Sequence, residues 1–337
     1  MDKFKLVVFG SDWDVYQVAF RDLIDNPHIY YIPTFRPKGL RGFLQRIQFN
    51  PRLNSIFSMP FKDFWNSYYI NEVDKTHPLC FLILENWLRL ETGIRLLPYI
   101  KHRYPTSVIV CFAQDLLETI VDQYSNAPID VEYIKNYTDL FISYDPADAS
   151  KYNIAFHPTV YSPVNLNCGV RKIRYDLFFL GRDKGRLDKL VAICEEARRR
   201  NLICKFILLD VPNERRIESE GITYIDKELS YNESLQCCLE SRCIVEILQD
   251  KAFSPTLRVW EAIAMNRRLL TNNVSLKDTN VYDERYISFF HDVTDINWSF
   301  VKSENAFSAT GNPYQETIKP ERLVEYIEQE LNIQIDK

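Results

Sequence analysis

Two short runs in this chain carry residue types that can hold an anion. The first is Gly181-Arg182-Asp183-Lys184-Gly185-Arg186, in which three cations fall between a pair of glycines and the residue after them. Glycines let a backbone approach a ligand closely, and clustered Arg and Lys neutralise a diphosphate leaving group. The second is Ser254-Pro255-Thr256-Leu257-Arg258, followed by Glu261 and Ala262. Ser can cap the free amides of a helix and Pro suits its first position, so a helix is expected to start here. Thr256 adds a hydroxyl, and Arg258 a charged fork, near the positive end of the helix dipole. Glu261 lies four residues after Leu257 and three before Ala264, on or beside the inward face. A carboxylate there needs a partner, which Arg258, a backbone amide or the hydroxyls of a bound sugar could supply. Either run alone reads equally as a solvated basic turn or an ordinary helix start. Together, in one domain, they suit a diphosphate.

The elements around these runs must position them. Residues 175–181 read as a strand, 187–200 as a helix, 204–209 and 222–225 as strands, 231–241 as a helix, and 243–248 and 268–271 as strands. A last helix is expected over 320–331. The first half shows the same alternation, with strands at 4–9, 28–33, 80–84 and 107–112 and a helix over 91–103. A helix-to-strand pair over 133–144 and a short strand at 153–157 end that half. Strands alternating with helices imply parallel sheets with helices on both faces. Residues 158–174 hold Pro158, Pro163, Asn165, Asn167 and Gly169 without a clear period, and read as a linker. The expected fold is therefore α/β, with two Rossmann-like doubly wound domains over 1–160 and 161–337. Two such sheets facing each other would leave a cleft at their strand C-termini.

Composition narrows the partners. Of 337 residues, 46% are apolar and 26% charged, enough to bury a sizeable core. Only 9 glycines argue against a repeated Gly-rich dinucleotide fingerprint, and a net charge of -5 argues against nucleic acid. The eight cysteines form no CxxC pair, so neither a zinc site nor a disulfide framework is expected. The first strand begins almost at once, leaving no room for a signal peptide, and apolar runs fall short of the ~18 residues that cross a bilayer. A cytoplasmic protein is expected. One segment, RPKGLRGFLQRIQFNPR over 36–52, has five cations and no acids, interleaved with Leu40, Phe43, Leu44, Ile47 and Phe49. It could lie peripherally on the inner face of the cytoplasmic membrane, grip a lipid-diphosphate acceptor, or pack as an ordinary surface helix.

The GRDKGR loop, the stretch FSPTLRVWEAIAMNRRLLTNN and the stretch SYDPADASKYNIAFHP resemble bacterial glycosyltransferases of the GT-B type, from capsular polysaccharide and lipopolysaccharide biosynthesis. Many members read roughly Q-x-G-x-T-x-R-x-x-E-A, then a basic pair and a strand ending T-x-N. Gln249, Thr256, Arg258, Glu261 and Ala262 stand at those places, with Arg267-Arg268 and Thr271-Asn272-Asn273 behind them. The resemblance covers residues 140–275 by motif and the first 130 by architecture. It implies a metal-independent hexosyltransferase without a cofactor, an N-terminal acceptor domain and a C-terminal donor domain. The donor would be a nucleotide-sugar, uridine-linked in preference to guanosine-linked, and the acceptor a surface glycan or a lipid-linked glycan. Gly181, Arg182, Lys184 and Arg186 would meet the diphosphate, Ser254, Thr256 and Arg258 the phosphates or sugar, and Glu261 the ribose hydroxyls. Retaining members often carry two glutamates eight residues apart, whereas Phe253 holds the first of those places here. Gln249 or Asp250 could fill that role, and the stereochemistry stays open.

An inverting reaction would need a base from the first domain. Asp12, Asp14, Glu85 and Asp115 follow expected strands, and Asp12 and Asp115 are the expected catalytic pair. Asp12-Trp13-Asp14 also mimics a DxD metal motif, but at a helix start N-capping explains it as well. His28 and His157 read as structural. Two alternatives accompany the transferase reading: an epimerase-like nucleotide-sugar enzyme on the same fold, and a non-catalytic subunit of a glycan-assembly complex.

Overall fold

The computed structural model describes residues 3–34, 37, 39–57, 59–71, 73, 75–121, 130–163, 172–248, 255–303 and 312–336. They divide into two compact units, one of residues 1–160 with 320–337 and one of 161–319. The first is built on strands β1 (Phe4–Phe9), β2 (Tyr30–Ile32), β3 (Leu79–Leu84), β4 (Val108–Ala113), β5 (Leu140–Ser143) and β6 (Ala155–Phe156). Every residue of β3, LCFLIL, is buried, as a parallel strand covered on both faces requires. β1 pairs with β3 on one edge, and β4, β5 and β6 follow outward, all parallel.

The other edge of β1 is shared. β2 pairs with Val7 to Phe9, and a C-terminal strand, Ile335–Asp336, pairs with Phe4 and Lys5. Residues 320–337 therefore return to the first unit, although 161–337 was the range expected for the second domain. The cause is local. The helix Pro320–Leu331 buries Leu323, Val324 and Ile327, and the strand after it finds the open edge of β1, where Lys5 Nζ also meets Asp336 Oδ2 at 2.8 Å. Helix Glu91–Arg103 covers the sheet with Ile94, Leu96, Leu97 and Ile100.

The second unit holds β7 (Tyr175–Arg182), β8 (Cys204–Leu209), β9 (Ile222–Ile225), β10 (Ser241–Glu246), β11 (Arg268–Thr271) and β12 (Ile287–Phe289). They lie in the order β12-β11-β10-β7-β8-β9, again all parallel. Helix Leu187–Arg199 buries Leu190, Ile193, Cys194 and Ala197 against this sheet. β10 ends at Glu246, two residues short of the expected 248, because the chain turns out of the sheet there and the Leu248 amide bonds the Asn272 side chain at 2.7 Å. In each sheet the strand order reverses once, between β1 and β3 and between β7 and β10. Such reversals open a crevice at the strand C-termini, the usual ligand position in open α/β sheets. Among the described residues no helix is long and apolar enough to cross a membrane.

Candidate functional site

At the β7/β10 reversal the two runs singled out from the sequence are cross-strapped by arginines. Arg186, from the loop after β7, donates from Nη1 to the Ile247 carbonyl beyond β10 at 2.8 Å. Arg258, from the helix beyond β10, donates from Nη2 to the Leu180 carbonyl of β7 at 3.3 Å. Arg186 also donates to the carbonyls of Asp183 and Arg182 and lies over the Phe179 ring, 5.2 Å from its centroid. Burial, above all, presses its guanidinium below the usual range. Gly181 suits this packing: a Cβ there would stand 3.2 Å from Arg186 Nη2 and from Phe179, and those groups would have to shift by a few tenths of an ångström. Arg186 was expected to meet a diphosphate. Its donors instead hold backbone carbonyls, so it fixes the loop in place.

The rest of the loop divides by exposure. Asp183 is buried and caps helix Leu187–Arg199, accepting from the amides of Arg186 at 3.1 Å and Leu187 at 3.0 Å. Arg215 stands 2.7 Å from its other oxygen. Lys184 and Gly185 then turn the chain with φ of +44° and +81°. A glycine at the second place removes the steric cost of that turn. Lys184 is exposed and forms no ion pair among the described residues. Arg182 is half-exposed, with Asp210 and Glu228 as carboxylate partners. Lys184 therefore has the least compensated charge of the loop.

The second run begins its helix later than expected. Ser254 lies outside the described residues, as do Gln249, Asp250 and Phe253. The helix is Leu257–Ala264, with Thr256 as its cap: Thr256 Oγ1 accepts from the Arg258 amide. That hydroxyl also donates to Glu246, the last residue of β10, which sequence reasoning did not single out. Glu246 is buried and accepts further from the Thr256 amide at 3.2 Å and from Thr271 Oγ1 at 2.5 Å. Burial raises its pKa despite these three donors. Thr256 was expected to face a phosphate, but here its hydroxyl serves the strand-end carboxylate.

Glu261 is fully enclosed, at 0% exposure. One oxygen accepts from Tyr231 Oη at 2.8 Å, and the other takes Arg258 in an ion pair one helical turn away. Burial pushes the Arg258 guanidinium down, but Glu261 more than restores it, so the net direction is up. Tyr231 Oη lies 2.6 Å from Tyr161 Oη, and both phenols are raised by burial and then by the Glu261 charge. Of the partners open to Glu261 from sequence, Arg258 is the one realised, joined by Tyr231 from a helix thirty positions earlier. No ribose-facing surface of Glu261 is exposed in this state.

In the first unit, the β1/β3 reversal also ends in a glutamate. Glu85 follows β3 directly and is 1% exposed. Tyr16 Oη donates to Oε1, and the Gln114 amide donates to Oε2 at 3.2 Å. Burial raises its pKa from 4.5 to about 7, against the pull of its own amide, the Gln114 amide and Arg89. Two buried acceptors near it, Asn86 Oδ1 and Gln114 Oε1, have no donor among the described residues. The turn before it is closely packed: Trp87 Nε1 donates to the Gly10 carbonyl at 2.7 Å, and a Cβ on Gly10 would collide with the Tyr31 ring. Asp12 and Asp115, the expected catalytic pair, are placed differently. Asp12 is exposed and accepts from Thr34 Oγ1 at 2.7 Å. Asp115 is half-exposed, 2.5 Å from Arg89, and accepts from the Leu116 amide at 2.8 Å. Asp14 opens the helix Asp14–Ala19, and His157 is half-buried, its Nδ1 2.7 Å from the Pro158 carbonyl.

No protein-family model and no curated protein matches this sequence. Solved structures do. An α-glucosyltransferase in complex with UDP and a mismatched 13-mer DNA is similar at TM-score 0.55 and 12% identity, over 94% of each chain. A UDP-N-acetylglucosamine 2-epimerase is similar at 0.51 and 12%, over 99% of each chain. The UDP complex of MnaA from S. aureus is similar at 0.50 and 15%, over 100% of this chain and 99% of that one. At such identities the likeness is one of fold. Two Rossmann-like domains of the GT-B class make up the chain.

Proposed function

We propose that this protein is a nucleotide-sugar enzyme, and specifically a glycosyltransferase that moves a hexose from a uridine-linked donor to a surface glycan. The observation that supports it most is the β7/β10 reversal, where Arg186 and Arg258 bind two loops into one rim. On that rim Lys184 supplies an uncompensated charge for the diphosphate, and Arg182 joins it by exchanging carboxylate partners. Glu261 and Tyr231 act through Arg258, holding its fork in one orientation. Glu85 accepts the proton of the acceptor hydroxyl, since a base works best with a pKa near the working pH. The motifs within 140–275 favour an acceptor of the capsular or lipopolysaccharide kind, glycan or lipid-linked, at the inner face of the cytoplasmic membrane.

The Tyr16–Glu85 pair supports one second reading. A carboxyl poised near neutrality can remove a carbon-bound proton as well as a hydroxyl proton, which is what epimerisation of a nucleotide-sugar needs. The two separate cleanly. Purified protein is incubated with a panel of UDP- and GDP-sugars, with and without lipid-linked glycan, in deuterated water. Transfer predicts nucleoside diphosphate release that requires acceptor and no deuterium in recovered donor. Deuterium entering the sugar without acceptor would establish the epimerase, and neither signal with any donor would defeat both.

A further inference from the structure

The helix Gly39–Gln48 is packed inside out. Its buried residues are Gly42 and Gln45, whereas Leu40 is 74%, Phe43 54% and Leu44 48% exposed. Leu40, Phe43, Leu44 and Ile47 have the spacing of a single helical stripe, and that stripe lies opposite the buried pair. The inward face is fixed by polar and backbone contacts: Gln45 Nε2 donates to Tyr69 Oη at 2.7 Å, and a Cβ on Gly42 would collide with the Pro37 carbonyl. Arg41 and Arg46 are exposed and flank the stripe, one on each side.

The same spacing recurs at once. Leu53, Ile56 and Phe57 are 42%, 87% and 64% exposed, and Phe61 and Phe64 follow at 82% and 61%. Phe61 is held at φ +60°, a costly conformation for a side chain that then meets only solvent. Gln48 ties the segment together, donating to the Pro60 carbonyl at 2.9 Å and accepting from Trp65 Nε1 at 2.6 Å. Across residues 26–61 the sequence has Arg36, Lys38, Arg41, Arg46 and Arg52 but no Asp or Glu, and beyond them Lys62 is buried against Glu91 while Asp63 is exposed.

We infer that residues 39–61 form a docking face for an anionic lipid surface. An apolar stripe turned outward and flanked by arginines is the geometry of a helix lying in the plane of a bilayer interface. A second copy of the chain fits less well, because a two-fold contact would set this acid-free patch against itself. An acid-free patch on a chain of net charge -5 matches anionic headgroups and selects against neutral ones. The surface deepens the membrane location in the proposed function and does not depend on the sugar chemistry, so each can fail alone.

The test is co-sedimentation of the full chain with vesicles of phosphatidylcholine alone or with phosphatidylglycerol, at two salt concentrations. Wild type should pellet with the anionic vesicles, and raising the salt should release it. Phe43→Ser with Leu44→Ser, and separately Arg41→Glu with Arg46→Glu, should each weaken pelleting roughly tenfold or more. Their melting temperatures should match wild type, since these side chains are exposed. Absence of pelleting, equal binding to neutral vesicles, or insensitivity to both salt and substitution would overturn the inference. So would sedimentation equilibrium showing a dimer that Phe43→Ser dissolves without any vesicle binding.

Discussion

Glu85 and Glu246 occupy corresponding places in the two sheets, each where a strand ends at a reversal of strand order, and each is buried. Their partners differ. Glu246 receives two threonine hydroxyls and an amide, those of Thr256 fixing the start of the helix Leu257–Ala264 and that of Thr271 tying β10 to β11. Glu85 receives the Tyr16 phenol and backbone amides of Gln114 and its own residue, beside two acceptors that lack donors among the described residues, and burial raises it to about 7. A carboxylate that ties together two threonine hydroxyls from different segments is a fastening for the loop around it. One raised by burial to about 7, beside acceptors unmatched among the described residues, can exchange a proton near neutrality. In the proposed function, Glu246 therefore holds the loop and Glu85 does the chemistry.

The largest effect expected from this contrast is on turnover. Glu85→Gln should lower kcat roughly 10² to 10⁴-fold while the protein stays folded, as for loss of a general base. The pH profile sharpens it. With Glu85 raised to about 7, a base role predicts activity rising with pH through that value in wild type and a flat limb in the variant. Stability has the opposite slope. A carboxyl whose folded pKa is raised binds its proton more tightly folded than unfolded, so ionisation destabilises the fold as pH climbs from 4.5 through about 7. Thermal melts of Glu85→Gln should lack that decline.

Glu246 should behave otherwise. Glu246→Ala leaves the hydroxyls of Thr256 and Thr271 without their acceptor and is expected to cost about 2–4 kcal/mol, read by urea unfolding. Thr271→Val keeps the shape and removes one donor, for about 1–2 kcal/mol. If Glu246→Ala unfolds no more readily than wild type, the fastening role is wrong. Smallest of all, Asp12→Asn should change turnover less than about threefold in steady-state assays, because the carboxylate is exposed beside Thr34. A loss as large as that of Glu85→Gln would return the proton-transfer role to Asp12.

Much of the scaffold could be read from the sequence, and the reason is plain in particular strands. LCFLIL is a continuous apolar run, and CKFILL and RLLT are nearly so, interrupted by Lys205 and flanked by Arg268 and Thr271, as parallel strands buried on both faces tend to be. β12 and the strand Ile335–Asp336 escaped because two or three residues carry no period. The site was less accessible. Arg182, Lys184 and Arg186 look alike in sequence, yet one is exposed without an ion pair among the described residues, one faces two carboxylates and one straps a loop. Which acceptor a guanidinium finds is decided by packing between strands, as with Arg186 and the Ile247 carbonyl 61 positions away. Glu85 was one of several strand-end carboxylates until Tyr16, 69 positions earlier, closed over it.

The central claim is that the β7/β10 rim holds the diphosphate of a nucleotide-sugar, and calorimetric titration tests it most directly. UDP and uridine are titrated into wild type and Lys184→Ala. The account predicts that UDP binds wild type and binds the variant roughly tenfold more weakly, as loss of a charge-assisted contact implies, while uridine affinity is unchanged. Equal UDP affinity in the two proteins, or no binding of any nucleoside diphosphate to wild type, would contradict it.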